Sequence, residues 1–212
     1  MKSSKYLLVA GALLALVASP ALAYEAGTGV LRAGVGVVAP ESDNLVLDPD
    51  TIVEVDDCTS LTLRGTYMFS PNWGFDVLAS WPFNHDIKLG GVKIAETDHL
   101  PPTFSMQYHF LPDGTIQPYV GAGLNYTTFF SEEVTQAAID NEITGISLDD
   151  SFGLALQIGA DWTFGNRWLL NFDLRWIDIE SDLEATIAGA AVDAGTVKID
   201  PWVYSINIGY SF

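Results

Sequence analysis

Three histidines and one cysteine are the side chains whose titration lies nearest neutral pH: His85, His99, His109 and Cys58. A histidine beside a serine or cysteine would make a nucleophile and base, and a cluster of such residues would hold a metal ion. Neither pattern is present. His85 and His99 fall in or beside one long polar segment and His109 in another part of the chain, and no Ser-x-x-His or similar local motif gathers them. The acidic stretch around Asp48-Pro49-Asp50 lacks the spacing and turn glycine of a calcium loop. A single cysteine excludes an intramolecular disulfide. The sequence therefore points away from an enzyme, and no catalytic residue, metal site or cofactor is assigned.

A second set of charged residues has a regular setting. Arg32, Arg64 and Arg175, with Asp76, Asp161 and Asp173, each sit between apolar residues in runs of strict alternation. Three cations and three anions on one side of such strands would form ion pairs. Whether they meet depends on the strands that carry them.

The last strand sets the pattern. Trp202, Tyr204, Ile206, Ile208, Tyr210 and Phe212 alternate with residues that include Ser205, Asn207, Gly209 and Ser211, a period of two. The same phase recurs in Trp168, Leu170, Phe172, Leu174 and Trp176 against Asn171, Asp173 and Arg175. Eight strands are expected: Thr28 to Ala39, Thr59 to Phe69, Trp73 to Phe83, Thr103 to Phe110, Pro118 to Phe130, Ser151 to Phe164, Trp168 to Ile179 and Lys198 to Phe212. Their connections run long, short, long, the rhythm of a barrel with short periplasmic turns and long extracellular loops. Ser70-Pro71-Asn72, Pro112-Asp113-Gly114 and Gly165-Asn166 supply the short turns. The third long segment, 131–150, mixes apolar and acidic residues and has room for a short helix.

The N-terminus gives the compartment. Lys2 and Lys5, an apolar run from Tyr6 to Val17, and Ala21-Leu22-Ala23 read as a signal peptide over residues 1–23, leaving 24–212 as one outer-membrane barrel domain. No later stretch is long and apolar enough for a spanning helix, so a closed barrel is the remaining way into a membrane. Setting Lys2 and Lys5 aside leaves 7 basic against 27 acidic residues, a balance that makes nucleic acid an unsuitable partner. The expected surroundings are outer-membrane lipid and lipopolysaccharide. Oligomeric state is not legible.

Together these readings give an all-β fold, an eight-stranded antiparallel transmembrane up-and-down β-barrel. The six charges and His109 point inward and form a lumen network that either holds the barrel together or borders a transport path. Leu78 is an apolar exception on the inner side. Pro82, Pro101 and Pro102 stand at strand ends near the long segments, where the missing N–H interrupts pairing. They either end strands at the membrane surface or leave a lateral gap in the wall. Leu45, Val46, Leu47, Ile52, Val53 and Leu89 are apolar residues above that level.

Four stretches carry a family resemblance: Trp81-Pro82-Phe83-Asn84-His85-Asp86-Ile87, His99-Leu100-Pro101-Pro102-Thr103, 117–126 (QPYVGAGLNY) and Asp200-Pro201-Trp202. With the terminal Phe212 the chain resembles the OmpW/AlkL family of outer-membrane proteins. The resemblance implies a barrel that assists passage of small hydrophobic molecules, with an apolar path in its upper part and lateral release into the bilayer. On that reading Leu78, Pro82, Pro101 and Pro102 border the path and gap, while Arg175 departs from an apolar lining. The alternative is a structural or adhesive barrel without transport activity.

Overall fold

The computed structural model describes residues 23–42, 44–48 and 51–212. The expected signal peptide lies outside these except for Ala23, as do Asp43, Pro49 and Asp50. The strands in chain order are β1 (Gly29–Ala39), β2 (Leu45–Asp48), β3 (Thr51–Val55), β4 (Cys58–Met68), β5 (Trp73–Ser80), β6 (Phe83–Leu89), β7 (Val92–Leu100), β8 (Thr103–His109), β9 (Ile116–Val134), β10 (Ile143–Leu148), β11 (Ser151–Phe164), β12 (Trp168–Ile177), β13 (Glu180–Ile187), β14 (Ala190–Lys198) and β15 (Trp202–Ser211). Eight of them close the barrel in the order β1, β4, β5, β8, β9, β11, β12, β15 and back to β1, each neighbour antiparallel. Closure pairs every strand on both sides, which a hydrocarbon environment demands of the backbone.

The alternation explains which side chains face lipid. Leu31, Leu63, Phe75, Phe104, Leu156, Phe172, Ile206 and Ile208 are exposed on the outer wall, while their neighbours in sequence turn into the lumen. Aromatic pairs mark the periplasmic rim: the Trp73 ring meets Tyr108 edge-on at 5.0 Å, and Trp168 meets Tyr210 at 5.3 Å. Trp176 stands opposite Trp202 at the other rim. From Trp168 to Trp176 a strand tilted by about 40° climbs about 20 Å, close to the height of an outer-membrane apolar band.

The long connections are not loops, and here the structure corrects the sequence. Residues 84–102, expected as one loop, form most of the β6–β7 hairpin, which reverses at Gly90 and Gly91, both with positive φ (57° and 80°). β2 and β3 extend this sheet through β3–β6 pairing, and β7 lies against the upper half of β9, which runs on to Val134 rather than ending at Phe130. β10, β13 and β14 form a second, three-stranded sheet. A short helix, α1 (Gln136–Ile139), is capped by Thr135. The reason is visible in the residues: His85 and Ile87 alternate with Asn84, Asp86 and Lys88, a pattern for a sheet with one wet face.

The third barrel strand also ends earlier than expected, at Ser80 rather than Phe83. Pairing between β5 and β8 stops at Leu78 opposite Thr103, and β6–β7 pairing resumes at Phe83 opposite His99. Four residues, 79–82, therefore face three, 100–102, a local surplus of the kind that makes a bulge. Across it the phase inverts. Trp73, Phe75 and Trp81 point outward, whereas Phe83, His85 and Ile87 are buried.

Candidate functional site: the lumen and the chamber above it

The lumen is layered along the barrel axis, as β12 shows in a single strand. Its inward residues read Leu169, Asn171, Asp173, Arg175 and Ile177, with Ile179 following, so an apolar floor gives way to a charged middle and then to an apolar top.

Tyr24, Val30, Met68 and Leu169 form the floor, a small buried cluster at the periplasmic end. Tyr24 enters from below, its N–H donating to the Pro112 carbonyl at 2.8 Å and its hydroxyl to Asp161 Oδ2 at 2.8 Å.

The middle layer joins the six charged residues. Arg32 binds Asp161 through two hydrogen bonds, Nε to Oδ1 at 3.0 Å and Nη2 to Oδ2 at 2.6 Å, and its Nη1 donates to Thr66 Oγ1 at 2.6 Å. Thr66 in turn donates to Asp76 Oδ1 at 2.7 Å. Arg64 bridges two carboxylates, Asp76 and Asp173, each at 3.2 Å. Arg175 reaches Asp76 at 3.3 Å and Asp173 at 3.6 Å, and donates to Gln157 Oε1 at 2.6 Å. All six are buried. Buried ions tolerate removal from water only when opposite charges and hydrogen bonds replace the hydration shell, and this layer supplies both. His109 stands beside the layer rather than in it. Its Nε2 lies 3.2 Å from Gln107 Oε1, and its ring sits between those of Tyr24 and Tyr119, at 5.2 and 5.1 Å.

Several members of this layer had no place in the sequence expectation. Tyr119 donates to Asp173 Oδ2 at 2.7 Å and accepts from Arg64 and from Asn171, while Asn207 donates to Asn171 Oδ1 at 2.9 Å. The alternation contained the signal for Tyr119, because it shares the inward phase of Gln117 and Asn125. Gly159 makes room for it: a Cβ there would lie 2.4 Å from the Tyr119 hydroxyl.

Above Arg175 the lining changes character. Val53, Ile87, Phe129, Leu148, Ile179, Leu183, Val197 and Ile199 surround a chamber, with His85, His99, Thr97 and Thr127 as its polar members. These apolar residues belong to one buried cluster that runs through both extracellular sheets and includes Phe83, Val38, Ile177 and Val203. The side chains nearly fill the space, leaving about 20 Å³, room for one water-sized particle. A larger molecule enters only by displacing them. His99 is stacked between Phe83 and His85 at 5.3 and 4.9 Å, with Phe129 at 5.9 Å. Burial holds the His99 imidazole down to about 3 and also lowers that of His85, against the pull of Asp57, Asp56 and Asp86.

The residues expected at a lateral gap lie at the pairing interruption below β6 and β7. Pro82 and Pro101–Pro102 flank the interruption between β5 and β8, and the carbonyls on its two rims bond elsewhere. Ser60 donates to the Trp81 carbonyl at 3.0 Å, and buried Asn125 donates to those of Pro101 and Pro102 at 3.2 and 3.3 Å. Leu78 sits one step lower, facing inward level with Arg64 and Thr103, and is not part of the chamber lining. Of the apolar residues expected along an entry path, Val53 lines the chamber and Leu45 and Leu89 pack against its cluster, but Val46 and Leu47 are exposed. Elsewhere Asp178, Glu180 and Asp200 bring carboxylate oxygens within 4.8 Å of one another, with Lys198 Nζ 2.5 Å from Glu180.

Comparison with known proteins agrees with this architecture. The OmpW family model matches residues 25–212. Outer membrane protein W of Vibrio cholerae is 40% identical over 94% of this chain and 95% of its own length. The crystal structure of the outer membrane protein OprG from Pseudomonas aeruginosa superposes with a TM-score of 0.79 at 33% identity, covering 90% of this chain and 98% of that one. The solid-state NMR structure of outer membrane protein AlkL gives 0.68 at 25% identity, over 92% and 94%. A more distant relative, 24% identical over 77% of this chain and 76% of its own length, is the dibenzothiophene metabolism operon protein PahQ of Pseudomonas aeruginosa. The chain belongs to the OmpW family and is a β-barrel protein of the outer membrane.

Proposed function

We propose that the protein passes small hydrophobic molecules from the cell exterior into the apolar chamber and releases them sideways into the bilayer between β5 and β8. The observation that carries this reading is the position of the pairing break. It stands at the height where a sealed charged layer replaces the apolar lining. An apolar solute that reached this level would meet buried ions below it, whose desolvated pairs offer it nothing, and a wall without ladder hydrogen bonds beside it. Leu78, Pro82, Pro101 and Pro102 would border the exit, and the lumen network of Arg32, Arg64, Asp76, His109, Asp161, Asp173 and Arg175 would close the way straight down. The name of PahQ supports the same class of cargo, since dibenzothiophene is an apolar aromatic compound. A charged lipopolysaccharide leaflet slows such molecules, and a shielded route through it would speed them.

The test is uptake of an apolar fluorescent reporter into vesicles with a lipopolysaccharide outer leaflet, with and without the protein. Protein-dependent uptake is expected, and replacing Pro82, Pro101 and Pro102 together by Val should reduce it several-fold in a barrel that still migrates as folded. Absence of protein-dependent uptake across several apolar solutes would leave a structural or adhesive barrel as the better reading.

A further inference from the structure

We infer that the chamber selects planar aromatic solutes that carry a hydrogen-bond donor, phenols and indole-type N–H compounds among them, and that His85 recognises the donor. The inference rests on the chamber being the solute's path, as proposed above.

The argument starts from the two nitrogens of one ring. His85 is 2% exposed, and its Nδ1 lies 2.5 Å from the Asp56 carbonyl oxygen. A carbonyl only accepts, so Nδ1 carries the proton. Burial keeps the imidazole neutral, and in a neutral imidazole the other nitrogen is a bare acceptor. That nitrogen, Nε2, is buried and has no hydrogen-bond partner among the described residues, while the ring lines the chamber. A buried acceptor left without a donor costs free energy, which a donor carried in by a solute would recover.

The polar neighbours do not compete for that role. The Thr127 hydroxyl proton goes to Asn125 Oδ1 at 2.7 Å and that of Thr97 to the Asp98 carbonyl at 3.4 Å. The rest of the lining is apolar except for His99, whose stack with Phe83 and His85 presents flat ring faces. A planar ring extends such a stack at offset-stacking distance, where a flexible chain of similar size does not. A buried acceptor left without a partner beside a stack of rings thus describes its complement: an aromatic body with an O–H or N–H.

The test uses the full protein in vesicles with a lipopolysaccharide outer leaflet, labelled with ¹⁵N-histidine, and a matched pair of probes, 2-naphthol and 2-methoxynaphthalene. The two share a ring system and differ in the donor. Only three histidines are present, so the His85 Nε2 signal is resolvable. It should sit at the bare-acceptor position and shift towards the hydrogen-bonded position with 2-naphthol but not with the ether. Protein-dependent uptake should favour 2-naphthol by about tenfold after subtraction of protein-free vesicles, a ratio typical of one buried hydrogen bond. His85→Phe should take up both probes alike. An unmoved Nε2 signal, or equal uptake of both probes by the unsubstituted protein, would overturn the recognition role while leaving the transport reading standing. No protein-dependent uptake of either probe would remove both.

Discussion

The two halves of the lumen solve opposite problems with the same alternating strands. Below the break, lipid is outside, so apolar residues face outward and the interior is closed by Arg and Asp in buried pairs. Above it, water is outside, so the acidic and polar residues face outward and apolar side chains close the interior. The lower half is held by directional, individually strong contacts and resists any change. The upper half is held by non-directional packing, which yields to a solute of similar polarity. The proposed function, closed below and accommodating above, would draw on these two kinds of interior.

The largest effect that would break the contrast lies in the lower half. Asp161→Ala removes the carboxylate that takes two of the three hydrogen bonds from Arg32, one from Tyr24 and one from Asn171, and leaves a buried guanidinium without its paired carboxylate. The expected loss is about 3–5 kcal/mol of stability, read from urea unfolding in lipid vesicles. A loss below about 1 kcal/mol would show that the charged layer is not what secures the lower barrel.

A smaller effect tests the upper half through pH. His99 is neutral when folded, with its pKa pushed down to about 3 from 6.5, so the unfolded hairpin binds a proton more readily than the folded one. The stability of the β6–β7 region is then complete above about pH 6.5 and declines as pH falls towards 3, by roughly 3 kcal/mol at pH 4. Amide exchange of that hairpin, corrected for intrinsic rates, should show protection falling with acid, and His99→Phe should flatten the profile. The groups facing this site are the His85 ring and, through it, Asp56, Asp57 and Asp86. A profile unchanged by the substitution would place the acid sensitivity with the buried His85 ring instead.

The smallest effect belongs to neither interior. Lys198 and Glu180 pair on the surface at 2.5 Å with both side chains largely in water. Lys198→Gln should leave thermal stability and uptake unchanged within error, since such pairs contribute little. A measurable loss would mean that the extracellular sheets are held by their surface as well as by their core.

The lower half was legible in the sequence and the upper half mostly was not. Strict alternation around Asp173 and Arg175 places both inward without any knowledge of the fold, because in a strand facing direction follows from position alone. Partners are another matter. Arg32 meets Asp161 only because β1 and β11 face each other across a closed barrel, and nothing local records that. Tyr24 escaped notice because it precedes the first strand. In the upper half the obstacle was continuity. Carrying the phase of Trp73 and Phe75 through Pro82 puts Phe83 on the outer wall, when it is 2% exposed inside. The Gly90-Gly91 turn and the His85–Ile87 alternation were signals of a hairpin, but they have the form of a water-facing sheet and were overshadowed by the reading of one long loop.

The surplus residue between Ser80 and Phe83 acts as a parity switch. Every position after it exchanges inside for outside relative to the strand below, so a single count of one marks where membrane chemistry ends and aqueous chemistry begins. Shortening 79–82 by one residue would set three residues against three, and plain alternation from inward Leu78 would then carry Phe83, His85 and Ile87 inward with no bulge, closing the interruption in the wall. The break in the wall is thus written in the length of this segment as well as in its prolines.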